Sequence, residues 1–353
     1  MRTKGGNAST RKHETRVIVP KTESGTARTY SADEVLTAVR SRDPKLPNML
    51  KSLVESGKVN AVIKLAIDMH VSEAVYALAG NESALFSIAN SSCWHGERSV
   101  AAHELTTMLD RLDQIESIRI ALGYGEGSGE MSSPTKELSN ALGRLGEART
   151  LEIIRKLLGS SQHAQTEQNQ TSVALRNIAM LSPHAIVRKT ALDALTQCPN
   201  YLSMITGCTF EDTRLDAINE LAKKDVIWLA EIIIAGSRRD RTYPYTQNPY
   251  ADAKIAAARR IWDSIKGNSL ARDDERYTYL HCAVAMCHDD TNVREVAFAR
   301  LKEAMSRPDG SYTTIVNHAI FDDVKALARG ELAEIRNSRE REQGLVLREL
   351  LAP

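Results

Sequence analysis

Apolar residues recur at three- and four-residue intervals along most of the chain, in runs of about 10 to 24 residues, which is the periodicity of amphipathic helices. The pattern opens at SADE (31–34), where Ser31 is placed to cap a helix and Glu34 to close a capping box. Short polar breaks punctuate it: RDPKLP (42–47), SGK (56–58), GN (80–81), KGN (266–268) and RPDGS (307–311). No stretch alternates apolar and polar residues long enough to argue for a sheet. The run VIWLAEIIIA (226–235) is the nearest to a strand, but Glu231 and its helical flanks favour a helix. The pattern predicts an all-α protein.

Three longer breaks organise the chain. GYGEGSGEMSSP (123–134) carries four glycines and ends in proline, the composition of a linker or loop. GSSQHAQTEQNQTS (159–172) is polar and lacks a core-forming period. GSRRDRTYPYTQNPY (236–250) separates two helical runs. Residues 1–30 mix Gly, Ser, Thr and basic residues without periodicity and read as a disordered arm. The expected organisation is this arm, an N-terminal helical part at 31–122, the linker at 123–134 and C-terminal helical repeats at 135–353.

The repeats rest on one recurring element: a basic residue, an alanine three positions later, and a leucine or isoleucine four after that. It appears as RKTALDAL (188–195), RLDAINEL (214–221), KIAAARRI (254–261), REVAFARL (294–301) and KALARGEL (325–332), with weaker copies KVNAVIKL (58–65) and RSVAAHEL (98–105). The basic positions are spaced by 40, 90, 26, 40, 40 and 31 residues. Positions i, i+3 and i+7 share one helical face. Alanine at its centre lets a neighbouring helix come close, and the basic residue at its edge can reach solvent or that neighbour.

At VRKTAL and DDTNVREVAFARL (289–301) the chain resembles HEAT-type helical repeats, in which an Asp, then Val-Arg, then Ala and Leu open the second helix of each pair. Asp290 and Arg294 stand at those positions. Before Arg188 the place of the Asp is taken by His184. The resemblance spans about 182–335, and 50–110 weakly. It implies an α-solenoid of helical hairpins with Asp–Arg pairing between successive repeats.

Charge changes this picture locally. The net charge is +1, yet residues 1–30 hold Arg2, Lys4, Arg11, Lys12, Arg16, Lys21 and Arg28 against Glu14 and Glu23, a net of +5, and the rest carries −4. The arm is therefore the candidate for phosphate contacts. No segment approaches the ~18 apolar residues of a membrane span, and the N-terminus has no apolar core of a secretory signal. Cys93, Cys198, Cys208, Cys282 and Cys287 are odd in number and show no CxxC spacing. They suit reduced thiols in a cytoplasmic compartment.

Other constellations fail on spacing. In HCAVAMCH (281–288) the two histidines lie ~10 Å apart along a helix and the two cysteines ~140° apart around it, so one zinc cannot gather them. In CWH (93–95) a thiol stands near an imidazole, but no third residue orients them. The glycines at 123–129 do not fit GxGxxG, because Ser128 takes the third place. Trp262 beside Asp263 is similar to the tryptophan and aspartate of HEAT-like DNA glycosylases, whose second acidic residue is absent here. Paired carboxylates (Glu211-Asp212, Asp273-Asp274, Asp289-Asp290, Asp322-Asp323) start helices, where the dipole accounts for them. Neither a catalytic residue, a metal nor a cofactor is expected.

The expected function is a non-enzymatic binding scaffold for a protein partner, with no membrane association. A nucleic-acid or ribonucleoprotein factor is the alternative, and a base-directed enzyme the third reading. The partner-binding candidates are Arg238, Arg239, Arg241, Tyr243, Tyr245 and Tyr250: the arginines can meet carboxylates or phosphates, the tyrosines supply rigid contact area, and Pro244 and Pro249 lower the ordering cost.

Overall fold

A computed structural model of the chain describes residues 30–91, 95–123, 134–160, 165–234, 249–266, 275–304 and 309–350. Among these residues the structure is all-helical, with no strand. The helices are α1 (Ala32–Ser41), α2 (Leu46–Glu55), α3 (Val59–Met69), α4 (Ser72–Ala77), α5 (Glu82–Ala89), α6 (His95–Thr107), α7 (Ile115–Gly123), α8 (Pro134–Ser160) and α9 (Gln165–Leu181). They continue as α10 (Ala185–Ala194), α11 (Pro199–Ile205), α12 (Glu211–Ala222), α13 (Ile227–Ile234), α14 (Ala251–Ile265), α15 (Glu275–Cys287), α16 (Thr291–Ala304), α17 (Asp309–His318) and α18 (Asp322–Leu350).

The local signals act where expected. Ser31 Oγ accepts from the Glu34 amide at 3.2 Å while Glu34 Oε2 accepts from the Ser31 amide at 2.8 Å, which closes the capping box of α1. Pro47 falls in the first turn of α2, where its missing N–H costs no hydrogen bond. Gly80 turns the chain at φ +90° into Asn81, whose side chain caps α5 at the Ala84 amide. Within the apolar run, Ile227–Ile234 forms α13, as its flanks predict. One expected break differs. Of the polar stretch 159–172, residues 159–160 end α8 and residues 165–172 form the first two turns of α9, because Gln and Glu are good helix formers and the exposed side of α9 needs no apolar period. Within α8, Gly146 (φ 73°, ψ 173°) interrupts the helix, a backbone setting open to glycine and strained for other residues.

Packing follows a simple rule. Every substantial helix contact among the described residues joins an element to the next one or the next but one. Odd-numbered helices from α3 onward pack on the next odd helix, and even-numbered helices from α2 pack on the next even helix, so the chain builds two layers. Pairs α3/α4, α5/α6, α9/α10, α11/α12, α13/α14, α15/α16 and α17/α18 link the layers. At the step from α14 to α16 the side chains make the link, with Arg300 over the Trp262 ring at 5.7 Å.

The recurring element positions this core. Its alanines Ala191, Ala217, Ala257, Ala297 and Ala328 are fully buried, as are Leu221, Ile261 and Leu301. The copy at 98–105 buries Ala101 and Leu105 in the same way. The copy at 58–65 does not: Ala61 is exposed, and α3 buries Val62 and Ala66 instead. That resemblance of sequence carries no repeat geometry.

One buried group carries an unmet demand. His281 in α15 is 1% exposed; its Nδ1 lies 2.7 Å from the Tyr277 carbonyl and so holds the proton, while Nε2 has no partner. Burial pushes this imidazole below its usual range, and the charge of Arg300 acts in the same sense. His288 is lowered by burial too, against the pull of Asp289 and Asp290. Both are neutral in the fold and gain a proton more readily when unfolded, so stability is complete above the ordinary imidazole value of ~6.5 and declines as pH falls through it. Urea midpoints should drop between pH 7.5 and 5.5, and His281→Leu should flatten part of that drop.

A candidate interface along the repeat ladder

Three arginines of the recurring element are buried and do the same work. Arg188, Arg214 and Arg294 are 4–5% exposed. In each, Nη1 donates to two carbonyls six and five residues back: Ser182 and Pro183 at 3.1 and 3.0 Å, Cys208 and Thr209 at 3.0 Å each, His288 and Asp289 at 2.7 and 2.9 Å. These carbonyls belong to the turn between the two helices of a hairpin. The other side of each guanidinium reaches the following repeat. Arg188 Nη2 donates to Asp212 Oδ2 at 2.6 Å, Arg214 Nη2 to Asp252 Oδ2 at 2.6 Å, and Arg294 Nη2 to Asp323 Oδ2.

The face of each guanidinium is covered as well. Phe210 lies over Arg188 and Tyr250 over Arg214, each with the guanidinium carbon 3.9 Å from the ring centroid, and Phe321 over Arg294 at 4.1 Å. Phe210 and Tyr250 are the N-cap residues of α12 and α14, and neither caps with its side chain. An aromatic residue thus holds a position that Ser, Thr, Asp or Asn usually takes. Capping is exchanged for a desolvated cation–π contact of ~2 kcal/mol.

These contacts define a spacing within the chain: aromatic, two residues to Asp, two more to the basic residue. It is written Phe210–Asp212–Arg214, Tyr250–Asp252–Lys254 and Phe321–Asp323–Lys325. The aromatic and Asp serve the preceding repeat, and of the three basic residues Arg214 serves the following one. Asp–Arg pairing between successive repeats is present, as the resemblance implies, but through this Asp. Asp290, at the position expected from the resemblance, instead accepts from the Asn292 and Val293 amides and caps α16.

Electrostatics reinforce the ladder. Burial opposes ionisation of Asp212, but the Arg188 hydrogen bond and the Thr213 amide outweigh it and hold its carboxyl below the usual range. Asp323 is lowered in the same way, by Arg294 and the Val324 amide against burial. The carboxylates that start α12 and α18 therefore do more than meet the helix dipole. A second, exposed set of links runs between even helices: Lys189 to Asp216 at 3.4 Å, Arg260 Nη2 to Asn219 at 2.9 Å, Arg300 over the Trp262 ring at 5.7 Å, and Lys302 to Glu331 at 2.5 Å.

The step from α14 to α16 departs from this design. Lys254 occupies the arginine's place and is 9% exposed. The matching places before Arg294 hold Asp290 and Asn292 rather than an aromatic and an Asp. Among the described residues Lys254 has neither a hydrogen-bonding nor an ionic partner; its charge is felt at the buried Cys287 thiol. Arg259 spans to this turn instead, donating to Asp289 Oδ1 and Oδ2 at 2.8 and 2.5 Å and pulling that carboxyl down to about 2.

The other candidates fall as follows. Arg238, Arg239, Arg241, Tyr243 and Tyr245 lie outside the described residues, as do the basic arm, Cys93 and residues 124–133 of the glycine-rich stretch. Tyr250 is described and serves as the lid of Arg214. Cys282 and Cys287 are fully buried thiols, each pushed by burial to about 12, a setting for inert packing. Among the described residues no three His, Cys, Asp or Glu side chains are gathered to hold a metal, and no helix is long and apolar enough to cross a membrane. Asp263 pairs with Lys266 at 2.6 Å rather than facing a pocket with Trp262. A depression between α10 and α12, lined by Ile186, Lys189, Asp212 and Asp216, has a volume of ≈ 190 Å³, below the ~300 Å³ at which small-molecule sites begin. No protein-family model matches the chain, and neither a curated protein nor a solved structure is significantly similar to it.

Breaking one rung should be costly. Arg214→Ala or Asp252→Asn should each destabilise the fold by ~3 kcal/mol or more, because either leaves buried polar groups without partners. Tyr250→Ala should cost ~1–2 kcal/mol. Denaturant midpoints read all three, and equal values for Tyr250→Ala and wild type would remove the lid from the account. The carboxylates contribute above the ordinary Asp value near 4 and lose their contribution as pH falls below it, so Asp212→Asn should lessen the acid sensitivity between pH 5 and 2.5.

Proposed function

We propose that the chain is a HEAT-like helical-repeat scaffold that binds a protein partner along its surface. The observation that carries this reading is the neighbour-only packing of two helical layers, joined by a repeated Arg–aromatic–Asp rung. A chain stacked in this way behaves as a one-dimensional array and offers long faces in place of a single enclosed pocket. The arginines at the recurring position are spent inside the stack, which argues against their forming a stripe for phosphates. In this reading Arg238, Arg239, Arg241, Tyr243 and Tyr245 are the contact residues, with Tyr250 kept for the fold. Reduced, buried thiols suit a cytoplasmic setting for this role.

Affinity purification from the native source, with and without nuclease, tests this. A variant with the three arginines changed to Ala and Tyr243 and Tyr245 to Ser should keep its far-ultraviolet dichroism and recover at least about tenfold less partner. Recovery that depends on intact nucleic acid, or tight binding of an oligonucleotide by the arm, would favour the ribonucleoprotein reading instead.

A further inference from the structure

We propose that the outer half of α18 pairs antiparallel with the same segment of a second copy of the chain, so that the protein dimerises through its last helix. The inference goes beyond the scaffold reading and does not depend on it. Helix α18 is 29 residues long, ~43 Å at the α-helical rise. Its first half belongs to the stack: Val324 and Ala328 are fully buried, and Leu332 and Ile335 are partly buried against the core. Beyond Ile335 the setting changes, and every residue from Arg336 to Gln343 is exposed. The helix continues to Leu350, ~22 Å past Ile335. Propensity does not account for this extension. It runs through Asn337, Ser338 and Gly344, all weaker helix formers than Ala, Arg or Glu, and a solvated helical stretch of this length gains little from its backbone alone.

The face that packs on the stack continues into the exposed part. Positions 324, 328, 332 and 335 form one stripe of the helix, and steps of three and four carry it outward through Arg339, Glu342, Val346 and Leu350. The stripe is apolar where it leaves the stack, basic then acidic at its exposed middle, and apolar again near the helix end. Steps of three and four are the spacing of a coiled-coil seam, in which a polar layer between apolar ones fixes register and orientation.

This order is complementary to itself when two copies run antiparallel. About an axis between residues 340 and 341, Arg339 of each copy stands opposite Glu342 of the other. The same register sets Ile335 opposite Val346 and Leu332 beside Leu350, each twice, as a closed two-fold interface requires. In a parallel pair Arg339 would meet Arg339 and Glu342 would meet Glu342, and like charges set against each other oppose association. The chain thus carries both halves of the contact on one stripe, which assigns the position to a second copy rather than to a foreign helix.

Sedimentation equilibrium of the full chain tests this, with a reversible dimer expected. Arg339→Glu and Glu342→Arg each place like charges across the axis twice and should weaken dimerisation at least about tenfold. The combined Arg339→Glu and Glu342→Arg chain exchanges the two charges and should return dimerisation to within about threefold of wild type, a recovery that neither a parallel pair nor an interface elsewhere would give. Both positions are exposed and both residue types are good helix formers, so the far-ultraviolet dichroism and denaturant midpoint should match wild type. Val346→Glu should weaken dimerisation by a similar factor. A monomer at every concentration, a dimer indifferent to the single changes, or no recovery in the combined chain would overturn the assignment. So would capture of a different protein that Arg339→Glu abolishes while the chain stays monomeric, which would give the stripe to that partner. The loop variant of the previous section should dimerise as wild type does. Partner recovery without dimerisation would leave the scaffold reading standing and sink this one, and dimerisation without partner recovery would do the reverse.

Discussion

A guanidinium taken out of water must have its donors met and its charge answered, and the architecture of residues 182–335 follows from that demand. Arg188, Arg214 and Arg294 each spend one nitrogen on the turn behind them and another on the helix ahead. The turn carbonyls would otherwise be orphaned at a helix junction. The Asp ahead keeps the cation from being an isolated buried charge. The aromatic lid excludes water, so the pair acts at a lower effective dielectric than an exposed salt bridge. Because the planar fork fixes direction as well as distance, each rung sets how one hairpin lies against the next. Hydrophobic burial supplies most of the driving force, through the Ala and Leu stripe, but that stripe alone would let helices slide; the rung specifies their register.

The same logic accounts for the departure at α14 and α16. Lysine has no planar fork and cannot bind two carbonyls and a carboxylate together in that geometry. With Asn292 in the place of the Asp and Asp290 drawn into capping, nothing ahead answers the charge. Longer side chains bridge this step, Arg259 to Asp289 and Arg300 to Trp262.

Much of the helical architecture was legible in the sequence. The periodicity, the capping box at Ser31 and Glu34, and the turn glycines are local signals, and the structure uses them locally. From residue 98 onward the basic–Ala–Leu spacing identified the buried face, because 3.6-residue periodicity places those positions together, whereas the copy at 58–65 buries Val62 and Ala66 instead. What escaped was the partner of the arginine. The resemblance pointed to an Asp four positions before the next basic residue, whereas the chain places an aromatic there and the Asp two positions later. Phe210, Tyr250 and Phe321 share that position, and the spacing Phe/Tyr-x-Asp-x-Arg/Lys was visible. Capping rules, however, direct attention to small polar residues at helix starts, so an aromatic N-cap reads as a loop residue. Tyr250 was legible as a contact residue, but only the fold told that its contact is with Arg214. The polar start of α9 was missed because a helix with one solvated side needs few apolar positions in its first turns.

Neighbour-only packing has a mechanical corollary. A stack whose layers are each continuous resists flexing in both senses, since bending must stretch one layer. Because every substantial contact among the described residues runs to the next helix or the next but one, a strain applied at one joint passes to the rest only through its adjoining helices.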